Sequence, residues 1–284
     1  MTIATLNDAA FNNRAFAAFD VIDLESADMV ITTAESLSQP VVLMVPHKAF
    51  PVLPLERFIG RIRNWAESAT VPVCVHLDHG ETLEGARQGL DAGFSSIMID
   101  ASAETFDRNV ELTRKACELA RPYGVSVEAE LGRVGGDEGN FDETSATQNI
   151  YTDADEAARF VEATGVDALA ISFGTSHGLY QGEPKLNFDI VRAVKERTPV
   201  KLVMHGASGL PDHEYGKAAE AGIGKINMFT EISVTGATAA NAAWDKRGGK
   251  LHFFEMLMSG KQAMAARTAH YMNLISAGNE RRHG

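Results

Sequence analysis

Residues 73–100 read VCVHLDHGETLEGARQGLDAGFSSIMID. The stretch opens on a short apolar, β-branched run, Val73–Leu77, and closes on another, Ser96–Ile99. Between them, Glu81–Ala92 carries apolar residues at helical spacing, and Gly93 follows as a stop. A strand, a helix and a second strand in so short a span make a parallel unit, because the helix returns the chain to the same end of the sheet.

The unit repeats outward in both directions. The spacing predicts further strands near Ala15–Ile22, Val41–Val45, Val125–Glu130, Ala168–Ser172, Lys201–Met204 and Gly224–Asn227. Helical periodicity fills the gaps: in Glu104–Tyr123, residues Phe106, Val110, Leu112, Ala116 and Leu119 recur on one face, and Asp153–Thr164 behaves alike. Gly124, Gly165 and Gly222 close helices as Gly93 does. Eight alternating units predict a (β/α)8 TIM barrel, with an extra helical extension from Lys250 onward. An open doubly wound sheet would carry GxGxxG after its first strand, and Asp20–Ser26 lacks it. No low-complexity linker interrupts the chain, so residues 1–284 are expected to form one barrel domain. The glycine-rich connection Gly132–Tyr151 is long for a βα loop and reads as a lid.

A formal net charge of -12 argues against nucleic acid or an anionic membrane as a main partner, since both require a basic face. The opening residues, MTIATLNDAAFNNRAF, lack a basic stretch followed by an apolar one, and no apolar run approaches the ~20 residues of a membrane span. A cytoplasmic protein is expected. Cys74 and Cys117 sit in apolar or helical patterns and read as buried free thiols.

Chemically capable residues collect just after the strands, where a barrel builds its site. His79, His177 and His205 each follow a different strand, so three imidazoles can reach one point, which is the donor pattern of catalytic zinc with an open fourth position. In His76-Leu77-Asp78-His79, alternation pairs Leu77 with His79, and a sharp turn after the strand is expected to swing Asp78 inward. His76 is then the weaker ligand. Asp78 is a candidate proton carrier beside a ligand, and Asp100 and Glu130 are candidates to orient ligands or hold a displaced metal. Gly178, Gly206, Ala207, Ser208 and Gly209 allow backbone N–H groups to approach an anion, with Asn227 and Thr230 at the start of the helix after the eighth strand. Glu138 lies in the loop GGDEGN, where a solvated charge is as good a reading as function.

At VHLDHG, SIMID, VEAELGRVGG, GTSHGLY, LVMHGASGLP and KINMFTE the chain resembles the class II fructose-bisphosphate and tagatose-bisphosphate aldolases, from about Leu6 to Arg267. The resemblance implies cleavage of a ketose phosphate to dihydroxyacetone phosphate and an aldehyde. By it, His79, His177 and His205 bind the catalytic Zn2+, while Asp100 and Glu130 match a secondary metal position. Asp78 would carry the proton at the aldehyde oxygen, and Glu138 the proton at the enediolate carbon. Gly178, Gly206, Ser208, Asn227 and Thr230 match the dihydroxyacetone phosphate pocket, with a monovalent cation (Na+ or K+) near the Gly178 and Gly206 loops. The family also implies a homodimer or homotetramer.

Three positions depart from the family pattern on the aldehyde side. Asp20 replaces an asparagine, Val45-Pro46-His47-Lys48 replaces a serine-bearing turn, and His252-Phe253-Phe254 replaces an Asp-Pro-Arg stretch. The expected aldehyde therefore lacks the usual terminal phosphate, and the substrate is a ketose 1-phosphate or an acid-tailed sugar phosphate, with Asp20, Lys48 and Phe254 setting specificity. The alternatives are an ordinary fructose- or tagatose-1,6-bisphosphate aldolase and a barrel that binds sugar phosphate without turning it over. A metal-dependent hydrolase of this fold would place an HxH pair after the first strand, where Phe19-Asp20-Val21-Ile22 stands.

Overall fold

The computed structural model describes residues 3–136, 150–178, 180, 182 and 184–283. Eight parallel strands close into a barrel in sequence order. They are β1 Phe16–Asp20, β2 Val41–Pro46, β3 Val73–Gly80, β4 Ser96–Ile99, β5 Ser126–Leu131, β6 Ala168–Ile171, β7 Lys201–Met204 and β8 Ile223–Met228. Helices α1 Leu24–Leu37, α2 Leu55–Ser68, α3 Leu83–Ala92, α4 Phe106–Ala120, α5 Ala154–Thr164, α6 Phe188–Arg197, α7 Asp212–Ala221 and α8 Thr230–Lys246 follow the strands in turn. Helix α9, Phe253–His283, lies across α1, α7 and α8. Glycines make this contact close: a Cβ on Gly278 would meet Gly216 Cα at 2.9 Å, and one on Gly260 would meet the Gly236 carbonyl oxygen at 3.0 Å.

Local chemistry sets the ends. Asp23, Thr82, Thr105 and Asp153 accept backbone N–H groups at helix starts, and each such cap is worth about 1 kcal/mol. Gly93 and Gly165 end α3 and α5 in the left-handed conformation.

Alternation divides the apolar residues into two cores. Ala17, Phe19, Leu43, Val75, Ile97, Ala129 and Leu202 face the helices. Phe16, Ala18, Val42, Met44, Cys74, Ala168 and Val203 fill the barrel interior, where Leu6 and Phe11 of the N-terminal segment join them as a plug. The same alternation leaves Asp20, Asp78, Glu128, Glu130, Lys225 and Asn227 on the inner face above this plug. Burial holds the Cys74 thiol neutral, pushed up to about 12, and neither cysteine is paired. Among the described residues no helix is long and apolar enough to cross a membrane.

The strand boundaries follow the sequence pattern to within a residue or two, except in β3. That strand does not stop at Leu77 but runs to Gly80 through a register shift against β4. The expected turn is a β-bulge, in which His79 takes φ 44. A Cβ on Gly80 would overlap the Met98 carbonyl oxygen, so only glycine lets the bulge rejoin β4.

Candidate metal and substrate site

The bulge decides what β3 presents. Strict alternation would send His79 the way of Leu77, into the outer core. The extra residue instead lets Asp78 and His79 both face the barrel mouth. Asp78 is fully buried, and its Oδ1 accepts from Asn227 Nδ2 at 3.3 Å across the barrel. His79 Nδ1 meets Asp100 Oδ2 at 2.8 Å. Burial would raise the Asp100 pKa, but the hydrogen bond and charge of His79 outweigh it and hold this carboxyl well below the usual range.

His177 comes from the loop after β6. Its backbone N–H donates to Gly135 O at 2.7 Å, which ties that loop to the chain leaving β5. His205, just past β7, is fully buried between two carboxylates: Nε2 lies 3.0 Å from Glu128 Oε1, and Nδ1 lies 2.9 Å from Glu130 Oε2. Burial alone would lower its pKa, yet the Glu128 and Glu130 carboxylates on either side push it up to about 9. The rings of His79, His177 and His205 converge, with centroids 5.2, 4.7 and 5.9 Å apart.

One nitrogen from each of these histidines lies within 4.8 Å of the others, so the trio can hold a metal ion; His79, Asp100 and Glu130 form a second such group. The donor set fits. His205 Nδ1 faces Glu130 without hydrogen-bond geometry and is buried, and carboxylates back His79 and His205 on their far sides. A ligating imidazole must be neutral, so a metal here displaces the proton that the two carboxylates otherwise keep on His205.

Behind His205 lies a buried assembly that alternation alone does not reveal. Lys225 Nζ donates to both oxygens of Glu128, at 2.9 and 3.2 Å, and is itself fully buried. His76 stands beside it, with Nδ1 2.8 Å from Ser96 Oγ and Nε2 3.8 Å from Glu128 Oε2. Lys225 is thus committed to an ion pair, and Glu128 fixes which His205 nitrogen faces the centre.

The residues expected to receive an anion are also held in place by short contacts. Gly206 has φ 65, and a Cβ there would press on the Ser176 carbonyl at 2.6 Å. Gly178 has φ 88, and among the described residues nothing lies within 4 Å of a Cβ placed there. Ser208 Oγ accepts from Phe229 N–H at 3.0 Å, which seats it at the start of α8, where Thr230 is the first helical residue. Tyr180 has no counterpart in the sequence reading: its hydroxyl accepts from Ser176 N–H at 3.0 Å and donates to Gly206 O at 2.6 Å, bolting the β6 and β7 loops together. A tyrosine spaced just after GTSHG was the only available signal.

The residues expected on the aldehyde side are less united. Asp20 ends β1, is buried at 8%, and lines a cavity of about 290 Å³ with Phe229 and parts of α1, α8 and α9. Phe253 also lines this cavity, whereas Phe254 is 66% exposed and does not. Lys48 is exposed in a short 3-10 turn and lines a separate surface depression with His47 and Glu81. Glu138 and most of Gly132–Tyr151 lie outside the described residues; at the margins of that loop, Arg133 and Ile150 exchange two backbone hydrogen bonds of 2.8 and 3.0 Å.

A closed parallel barrel whose mouth gathers three histidines with Asp78, Asp100, Glu128 and Glu130 is an architecture that can hold a metal ion beside a substrate. The family model of fructose-bisphosphate aldolase class-II matches residues 1–280, and the chain belongs to that family. It is an aldehyde-lyase. Its sequence is 40% identical over 240 residues to the uncharacterized protein YdjI of Escherichia coli K12, covering 84% of this chain and 86% of that protein. It is 39% identical over 220 residues to the D-tagatose-1,6-bisphosphate aldolase subunit GatY of Klebsiella oxytoca, covering 78% and 77%. A fructose-bisphosphate aldolase of Staphylococcus epidermidis is 39% identical over 241 residues, covering 82% of each chain. Among solved structures, the YdjI aldolase superposes with a TM-score of 0.82 at 35% identity over 96% of both chains.

Proposed function

We propose that this chain is a zinc-dependent aldolase that cleaves a ketose phosphate to dihydroxyacetone phosphate and an aldehyde lacking a terminal phosphate. The observation that carries the reading is the convergence of His79, His177 and His205 within 4.8 Å, beside a buried Asp78. Zinc held by these three imidazoles supplies Lewis-acid stabilisation of the negative charge that builds on substrate oxygen.

The chain's own residues do the rest. Asn227 aims the Asp78 carboxylate across the mouth, where it takes the hydroxyl proton at the carbon that becomes the aldehyde. Asp100 and Glu128 hold the His79 and His205 imidazoles in one tautomer. Gly178, Gly206 and Ser208, with Thr230 at the start of α8, receive the phosphate through N–H groups and the positive helix end. Glu138 is assigned the proton at the departing ketone's carbon.

Asp20 sets the aldehyde end. A terminal phosphate about 4 Å from this carboxylate would meet ~4 kcal/mol of repulsion per unit charge pair at an effective dielectric near 20. Hydroxyl groups would instead donate to it. A ketose 1-phosphate is therefore the favoured substrate class, and a carboxylate-tailed sugar phosphate requires its acid to lie beyond Asp20. The test is release of dihydroxyacetone phosphate from a panel of fructose and tagatose 1,6-bisphosphates, ketose 1-phosphates and acid-tailed analogues. A kcat/KM above about 10⁴ M⁻¹s⁻¹ for either bisphosphate, an ordinary enzyme value, would sink the aldehyde-end assignment.

A further inference from the structure

The N-terminal end of the barrel holds a second cavity, of about 300 Å³, far from the metal ligands. It is framed by the residues entering β1, β6, β7 and β8 and by the end of α9. Arg14, Lys195, Lys201 and Arg282 all line it. In a chain with a net charge of -12, four cations around one small cavity stand against the overall field.

Among the described residues no carboxylate forms an ion pair with them. Asp167 is the single acidic residue in the lining among the described residues, and both its oxygens are committed: Oδ1 accepts from Asn7 Nδ2 and Oδ2 from Val127 N–H, each at 2.8 Å. Lys195 Nζ donates to the Pro199 and Val200 carbonyl oxygens at 3.4 and 3.2 Å, and Lys201 Nζ to the Leu6 carbonyl oxygen. Those bonds tie loops together; Lys201 Nζ also lies 5.5 Å from the Phe16 ring centroid, and neither ammonium has an ion-pair partner among the described residues. Arg14 and Arg282 are half-buried and form no ion pair among the described residues.

The crowding has a cost. Burial lowers the Lys195 pKa and the charge of Arg282 lowers it further. Burial likewise brings Lys201 down to about 8, which the carboxylates of Asp167 and Glu128 offset only in part. A dianion would relieve both. At the stability face of a barrel, packing residues suffice for folding, so four cations around one cavity exceed what tying these loops together requires.

We propose that this cavity is a second anion site, which takes a phosphate monoester of metabolite size on the face opposite the metal centre. The volume is at the low end for a small-molecule pocket and leaves room for more than a bare phosphate group. Asn7 and Asn12 supply neutral hydrogen-bonding side chains to the rest of the ligand. Leu202 and Gly224 in its wall stand three residues before His205 and Asn227 on the same strands, so a ligand here touches the strands that deliver both.

Calorimetric titration of the zinc-loaded protein with inorganic phosphate, and separately with glucose 6-phosphate, tests this. Two anion sites per chain are expected, one at each end of the barrel. Arg14→Gln/Arg282→Gln should weaken the second by at least ~10-fold, since charge-assisted hydrogen bonds are lost, while cleavage activity stays unchanged. Tighter binding of glucose 6-phosphate would mark a metabolite ester and equal binding free phosphate, and both support an anion site. In the unaltered protein, amide chemical shifts of Gly222 and Gly224 should move on phosphate addition, a readout independent of how the double variant folds. A single site per chain with those amides unmoved would overturn the proposal.

Discussion

The two ends of this barrel share the same strands and differ in sign. At the C-terminal end, three imidazoles are surrounded by Asp78, Asp100, Glu128 and Glu130, and each buried charge has a named partner or faces the metal position. At the N-terminal end, Arg14, Lys195, Lys201 and Arg282 surround a cavity with one committed acid. Between them, Lys225 and Glu128 form a buried ion pair that belongs to the upper site, since Glu128 continues to His205. The difference teaches that charge inside a barrel is placed locally. The acidic end is suited to receive a cation, and the basic end to receive an anion.

Substitutions can break or sharpen this contrast. The largest effect is expected at His205. His205→Ala should abolish stoichiometric zinc binding and lower kcat/KM by about 10⁴-fold or more, the several kcal/mol of Lewis-acid stabilisation, as measured by metal analysis and dihydroxyacetone phosphate release. Asp78→Asn should lower kcat by ~10²–10⁴-fold with zinc content intact, which separates proton transfer from metal binding. Asp20→Asn should raise kcat/KM for a 1,6-bisphosphate relative to the matching 1-phosphate by on the order of 10³-fold, in proportion to the repulsion removed. Lys225→Met should weaken zinc binding by ~10–100-fold in a chelator competition, and should cost about 3–5 kcal/mol of stability by stranding Glu128. Lys225→Met/Glu128→Gln should recover much of that stability but not the zinc affinity. If Lys225→Met left zinc affinity unchanged, the ion pair would belong to the core alone. At the basic end, Arg14→Gln/Arg282→Gln should leave cleavage unchanged within experimental scatter, the smallest effect of the set.

The sequence carried the barrel and the three histidines that meet at its mouth because each signal is local. Glycines such as Gly93 and Gly165 stop helices where the chain must turn, and apolar runs mark strands whose neighbours need not be known. His79, His177 and His205 were legible because a residue just past a barrel strand has only one place to go. The bulge at Asp78–Gly80 was not, since alternation assumes a regular pleat and no residue pattern announces φ 44 at a histidine. Lys225 read as a residue inside a strand; its pairing with Glu128, 97 residues away, depends on barrel closure across the interior. Tyr180 likewise matters only because it spans two loops that fold together. The basic cavity draws on segments from Asn7 to Arg282, and nothing in any one of them shows that they meet.

The most direct test of the account is the cleavage assay on zinc-loaded protein with a ketose 1-phosphate, run beside an EDTA-treated sample restored with stoichiometric zinc. The account predicts dihydroxyacetone phosphate release that vanishes with the metal and returns with it. Stoichiometric zinc on the protein with no release from any ketose phosphate would contradict it, and would leave the converged histidines binding a metal without the chemistry assigned to them.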